Sequence, residues 1–212
     1  MKSLCFFTLL FLSLIILSGC NLSVNKSIVI DDGDKVHGSR NTVNGNIYVG
    51  SDCRIDGDLR SVNGGIEIGS HSKVQDLQAV NGRIEVGRET MVRGSIESVN
   101  GSVTCDRGVE IQGRLTTVNG NIDLENTIVE HDIKTYNGDI TLSDESIVRG
   151  DIIIKRSKGS SRRHRRLDIE IANGSVVEGD IIVEDRRLDV KVTLSDGGKV
   201  RGRVRDAELI ER

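Results

Sequence analysis

The chain has 212 residues, 24 of them glycine and none proline, where average usage would supply roughly 10 prolines. Only five residues are aromatic, so a core must be built from Val, Ile and Leu; this argues against stacking platforms for single-stranded nucleic acid and against aromatic carbohydrate cages. The formal net charge of −3 gives no global basic footprint for DNA or RNA, and 36 % apolar residues with balanced charge is not a disordered composition.

The N-terminus carries an address. Leu4 to Leu17 is an apolar run behind Lys2. Its 14 residues are too few for a membrane-crossing helix, which needs roughly 20. A basic start, a short apolar stretch and small residues after it predict an export signal. Its ending, Leu17-Ser18-Gly19-Cys20, resembles the lipobox of bacterial lipoproteins. That resemblance implies cleavage before Cys20 and lipid attachment to it, hence a partner in the membrane itself. Asn21, rather than Asp, follows the cysteine. In that family this favours the outer membrane, facing the periplasm.

The remainder repeats. Asn recurs at positions 25, 44, 63, 81, 100, 119 and 137, at intervals of 18 or 19, and six of the seven copies continue with Gly. Counting from each Asn, position +3 is aliphatic from Ile28 through Ile47, Ile66 and Ile84 to Ile140. Position +5 is Ile30, Val49, Ile68, Val86, Cys105, Leu124 and Leu142. Position +11 is Val or Ile except at Glu130, where Ile128 and Val129 stand just before it. Position +13 is Gly or Asp, and a further aliphatic site follows at +14 or +15, with Arg40 near that site in the first copy. Apolar residues two apart with a polar residue between them predict half-buried strands, three short ones per repeat.

One such repeat cannot bury its apolar face alone. Stacked at ~4.8 Å, the repeats would place every strand in a parallel ladder and every aliphatic column in one core. The predicted fold is therefore all-β: a parallel β-solenoid of 18–19 residues per coil, right-handed because parallel crossovers favour that hand. Asn-Gly is also a hairpin signal, and an array of antiparallel hairpins is the competing architecture. In the solenoid, Asn and Gly would supply left-handed corners, and stacked Asn side chains would form an amide ladder; a ligand-binding role for that column is the other reading.

After Ile154 the pattern breaks. Lys155, Arg156, Lys158, Arg162, Arg163, Arg165 and Arg166 put seven cations into 12 residues without an apolar side chain. This predicts a protruding loop, either a solvated one neutralising nearby acids or an anion site for phosphate-bearing glycolipid, cell-wall polymer or nucleic acid. Repeat-like strings resume at Ser175–Ile181 and Gly198–Val204, and Leu167–Ile171 and Leu188–Leu194 alternate as strands. The charged residues 206–212 are expected to cap the end.

The expected organisation is a signal peptide over 1–19, a lipid-anchor tether over 20–23, regular coils over 24–154, a basic loop over 155–166, and irregular coils with a cap over 167–212. The tether brings the first coil close to the bilayer. Cys53 and Cys105 lie three coils apart and are not expected to pair; Cys105 is expected in the core and Cys53 half-buried. No histidine pair has metal-ligand spacing. No catalytic constellation, cofactor motif or metal site is discernible, and the chain is expected not to be an enzyme.

Strings such as Val148-Arg149-Gly150-Asp151-Ile152 resemble the bactofilins, polymer-forming β-solenoids, and the Val-Asn-Gly-x-Ile copies resemble a broad group of adhesin-like solenoid domains. The likeness covers residues 24–204. It implies a scaffold or interaction surface, with self-association through coil ends or an envelope protein or polysaccharide as the partner. The export signal, the lipid site and the basic insert depart from bactofilins and place this chain in the cell envelope.

Overall fold

The computed structural model describes residues 22–156, 165–185 and 187–212. Among them, 29 short strands fall into three parallel sheets of ten, ten and nine strands, and no helix occurs. The chain visits the three sheets in turn and then starts the next coil, so each strand pairs with the strand three places later. The first sheet begins with Leu22–Val24, the second with Ile28–Ile30 and the third with Lys35–Val36. This is a β-solenoid of about nine turns, two more than the seven Asn copies mark. Nine steps of ~4.8 Å give a stack roughly 43 Å long.

Hydrophobic burial fixes the register. Ile47 pairs with Ile66, Ile66 with Ile84 and Ile84 with Val103, and all four are at most 1 % exposed. The third sheet runs Val74, Val92, Ile111, Val129, Val148 and Val177 in one file. The first sheet runs Leu59, Leu77, Ile96, Leu115, Ile133, Ile152 and Ile181. A slip of one residue would turn each file out to water, so every coil reinforces the register of the next. The hairpin array is excluded, since every strand pair is parallel.

The 18-residue repeats accommodate a missing residue at different corners. In the copy starting at Asn63, Val74 and Leu77 are three apart where Ile55 and Leu59 are four apart. In the copy starting at Asn119, the loss falls before the third sheet. Val129 therefore pairs with Ile111 and fills the core, and Glu130 lies outside it. Arg40 stands in register with Leu59 at the end of an aliphatic file, and its Nη1 donates to the carbonyls of His37, Gly38 and Ser39.

The Asn column forms a hydrogen-bonded ladder. Each Nδ2 donates to the Oδ1 one coil earlier, from Asn44 to Asn25 at 2.7 Å through to Asn137 to Asn119 at 2.8 Å. The left-handed corner expected of it holds only at Asn25 and Asn44, whose φ values are 56° and 60°. The Gly column has a different reason. A Cβ on Gly64, Gly82, Gly101 or Gly120 would lie under 3.0 Å from the carbonyl oxygen of the glycine one coil earlier. The backbones approach too closely there for any side chain.

A second buried ladder lies at the corner before the third sheet. The Cys53 N–H donates to Ser72 Oγ at 3.0 Å, and the Ser72 N–H to Thr90 Oγ1 at 3.3 Å. Thr127 and Ser146 continue it through Ser146 Oγ and Ser175 Oγ, both at 3.1 Å. Cys53 belongs to this hydroxyl column and is 2 % exposed, not half-buried; its Sγ donates to the Asp31 carbonyl at 3.1 Å.

The start of the solenoid departs from expectation. Leu22 and Ser23, expected in a tether, are the first residues of a strand paired with Arg40–Val43, and Ser23 Oγ donates to the Lys26 carbonyl at 3.1 Å. At the other end, Glu208–Glu211 adds a last strand to Leu188–Leu194.

Candidate functional site

The wall of the solenoid departs most from its repeat where the chain leaves Ile152–Ile154. Strands Arg165–Ile171 and Leu188–Leu194 have seven residues each and pair along their whole length, whereas their neighbour Ile140–Ser143 has four. Leu167 and Val190 continue the inward alternation of Ile169 and Val192, and all four are at most 3 % exposed. The two strands therefore form an arm that prolongs the core beyond the regular corner.

This arm corrects the expected boundary of the basic loop. Arg165 and Arg166 belong to the strand, because pairing with Leu188 and Asp189 extends the sheet to them. Arg166 Nη2 lies 2.9 Å from Asp168 Oδ1, and Lys155 Nζ lies 2.6 Å from Glu184 Oε1. These two cations neutralise acids of the wall. Arg156 is exposed at the foot of the insert. Lys158, Arg162 and Arg163, and the expected lipid site Cys20, lie outside the described residues.

Sequence reasoning missed the brace at the base of the arm. Asp185 is 4 % exposed, and Arg187 grips it through Nε to Oδ1 and Nη2 to Oδ2, both at 2.7 Å. Hydrogen bonding by Arg187, assisted by charge from Arg156, holds the Asp185 carboxyl down at about 2 despite its burial. An Asp-x-Arg triplet between two alternating segments was the available signal, but its burial depends on the arm.

The remaining titratable groups do not converge. His37 Nδ1 lies 3.4 Å from Asp56 and His71 Nδ1 lies 3.3 Å from Glu89, each an exposed pair on its own corner. No group of three or more His, Cys, Asp or Glu side chains could hold a metal among the described residues. Cys53 and Cys105 are free thiols, and burial raises the pKa of both, which removes thiolate character at neutral pH.

The outer faces carry the surface chemistry. On the first sheet, Arg60 donates to Gln78 Oε1 at 2.9 Å and to Asp58 Oδ2 at 2.6 Å. Burial, reinforced by Asp76, pushes the Glu97 carboxyl up in the same column. The valine before each Asn also faces outward; Val43 and Val62 are half-buried, Val80 and Val99 buried. Asn41, in register with Leu22 and Arg60, is buried, and its Oδ1 has no hydrogen-bond partner. On the second sheet a shallow groove runs past Tyr48, Gly65, Glu67 and Arg83. Asn46 Nδ2 donates to the Tyr48 hydroxyl at 2.6 Å along its rim.

No family model, no curated protein and no solved structure matches this chain. Among the described residues the geometry offers long, regular sheet faces.

Proposed function

We propose that the protein is a lipid-anchored component of the bacterial cell envelope, held in the outer membrane facing the periplasm. It serves there as a rigid, non-enzymatic scaffold or interaction surface. One observation supports this reading: the first described strand begins at Leu22, and Asn21 alone stands between it and Cys20, the cysteine of the lipobox-like string. Two residue steps span at most ~7 Å, so a lipid on Cys20 would hold the first coil against the bilayer. Two or more acyl chains anchor stably at ~0.8 kcal/mol per buried CH₂. The continuous files suit a stiff rod, because each coil is locked to its neighbours and none can bend alone. Labelling cells with a palmitate analogue tests the anchor. The wild-type chain takes up label and Cys20→Ala does not; persistent labelling of Cys20→Ala refutes the anchor.

A second reading, polymerisation through coil ends, draws on one feature. Among the described residues, Leu22–Val24, Ile28–Ile30 and Lys35–Val36 each pair on one side only, an open edge that a second copy could extend. Electron microscopy of the purified protein separates the two readings: filaments support assembly, and single short rods count against it. Capture of an anionic envelope polymer would draw on the cations of residues 155–166, of which Lys155 and Arg166 are already paired with acids of the wall.

A further inference from the structure

The exposed large apolar side chains of the described residues are Leu22, Val24, Val29, Tyr48 and Leu209. Four of the five belong to the first two coils. Leu22 and Val24 are 52 % and 57 % exposed on the outer face of the first sheet. Val29, 67 % exposed, lies on the outer face of the second sheet between Ile28 and Ile30, with Tyr48 in register above it. The two faces meet at the corner after Val24, so the apolar groups wrap one end of the rod.

Along these faces the Leu22 and Val29 positions turn polar in later coils, while the Val24 position stays valine, half-buried at Val43 and Val62 and buried at Val80 and Val99. Leu22 is succeeded by Asn41 and Arg60. Val29 and Tyr48 are succeeded by Glu67 and Glu85. A rod lying flat on a membrane would press these polar columns into it, whereas a rod standing on its first coil brings Leu22, Val24 and Val29 to the surface together. The open edges of the first three strands lie at that same end.

The far end has the opposite chemistry. Leu209 is flanked by Glu208, Glu211 and Arg212, all exposed. Glu211 is in register with Leu194 and so closes an aliphatic file with a carboxylate. Stacking a second copy head to tail would seat Ile28 on Leu209, but Ile30, the first member of the Glu211 file, on a carboxylate. That mismatch makes the far end a poorer partner for the first coil than a lipid surface.

We propose that the first coil is an interfacial seat: the rod stands end-on in the bilayer, with Leu22, Val24 and Val29 in the headgroup and upper acyl region. This rests on the anchor reading above and adds the protein's own contact with lipid. Lys26 and Lys35, both exposed, can lay their stems along that zone with their ammonium groups in water. Asp31, Asp32 and Asp34 are exposed on the same coil and oppose anionic headgroups, so the seat suits a zwitterionic surface and depends little on salt.

The test uses the lipidated protein in phosphatidylcholine vesicles, with a nitroxide placed by Val29→Cys or, at the far end, by Leu209→Cys. Flotation with the vesicles reads the anchor; collision with a water-soluble paramagnetic nickel complex reads the seat. The expected result is flotation of both variants, with the label at position 29 several-fold better protected than that at 209. Equal accessibility in proteins that float overturns the seat and leaves the anchor standing. Failure to float overturns the anchor reading and the seat with it. Protection that persists in detergent without vesicles, with dipolar broadening between labels, assigns the first coil to a second copy and also overturns the proposal. Val24→Asp with Val29→Asp checks the result: flotation is kept, and a label at Tyr48→Cys becomes more accessible to the nickel complex than in the parent.

Discussion

Two glycines, Gly101 and Gly33, separate two physical reasons for glycine in this fold. Gly101 has no positive φ, but a Cβ there would come under 3.0 Å from both the carbonyl oxygen and carbon of Gly82. Backbone atoms held in a parallel ladder cannot swing aside, so Gly101→Ala must push two coils apart. Overpacking of this kind costs about 3 kcal/mol. Gly33 is the converse: its φ is +76° and nothing lies within 4 Å of its Cβ position. Gly33→Ala meets only the left-handed penalty, about 1–2 kcal/mol. For a chain of this size each kcal/mol lowers Tm by roughly 2–4 °C. Gly101→Ala should therefore lower it by about 9 °C and Gly33→Ala by about 3–6 °C in thermal unfolding followed by far-UV circular dichroism. Asparagine tolerates left-handed angles, so Gly33→Asn should recover most of the loss, while Gly101→Asn should be at least as harmful as Gly101→Ala. Because coils of a solenoid can unfold separately, hydrogen exchange of residues 96–105 supplies the local readout. If Gly101→Ala is no worse than Gly33→Ala, or if asparagine rescues position 101, the close-approach argument is refuted.

The amide ladder is tested at Asn81, which donates to Asn63 and accepts from Asn100, each at 2.8 Å. Asn81→Ala should cost about 1–2 kcal/mol for two exposed bonds. Asn81→Asp should cost more at pH 8, where a carboxylate oxygen faces the Asn63 oxygen, and less at pH 3, where the protonated acid can donate; a penalty independent of pH would refute the donor assignment. For Asp185 the folded pKa of about 2 lies below the unfolded value near 3.9, so its contribution is present above pH 4 and is lost as pH falls towards 2. Urea midpoints between pH 6 and 2 should show this component in the wild type and not in Asp185→Asn; parallel profiles would place the arm's stability elsewhere.

The architecture was legible in the sequence because one force repeats. Ile47, Ile66 and Ile84 sit at equal spacing for the same reason that they share a file: each must leave water, and stacking in register buries all of them. The two short repeats were partly legible. Glu130 in an aliphatic column was a visible anomaly, and Ile128-Val129 beside it was the clue to a one-residue deletion. Counting from Asn could not show which corner had lost the residue, because strand pairing decides that, not distance from a marker. The glycines were legible as glycines but not for their reason. A left-handed corner and a close backbone approach demand the same residue, and only the positions of neighbouring coils distinguish them.

The arm and the hydroxyl column were hidden for another reason. Arg165 and Arg166 continue a cationic run with no apolar residue, so local composition predicts a loop there. In the fold they are paired with Leu188 and Asp189, a strand 23 residues away, and the ladder overrides local preference. Ser72, Thr90, Thr127 and Ser146 look like ordinary corner residues. They are buried because each hydroxyl is hydrogen-bonded within the corner: Ser72, Thr90 and Ser146 each accept a backbone N–H from the coil before, and Thr127 Oγ1 donates to the Asp106 and Glu125 carbonyls, so a small polar column can run inside an aliphatic rod. Cys53 shows how far that column tolerates change. Its sulfur replaces a hydroxyl and still donates to a carbonyl, and the backbone of Gly33 and Asp34 in the coil before it hydrogen-bonds to the thiol in return. A hydroxyl can make the same bonds, so Cys53→Ser is expected to leave stability nearly unchanged, whereas Ser72→Ala would leave the Cys53 N–H buried and unpaired.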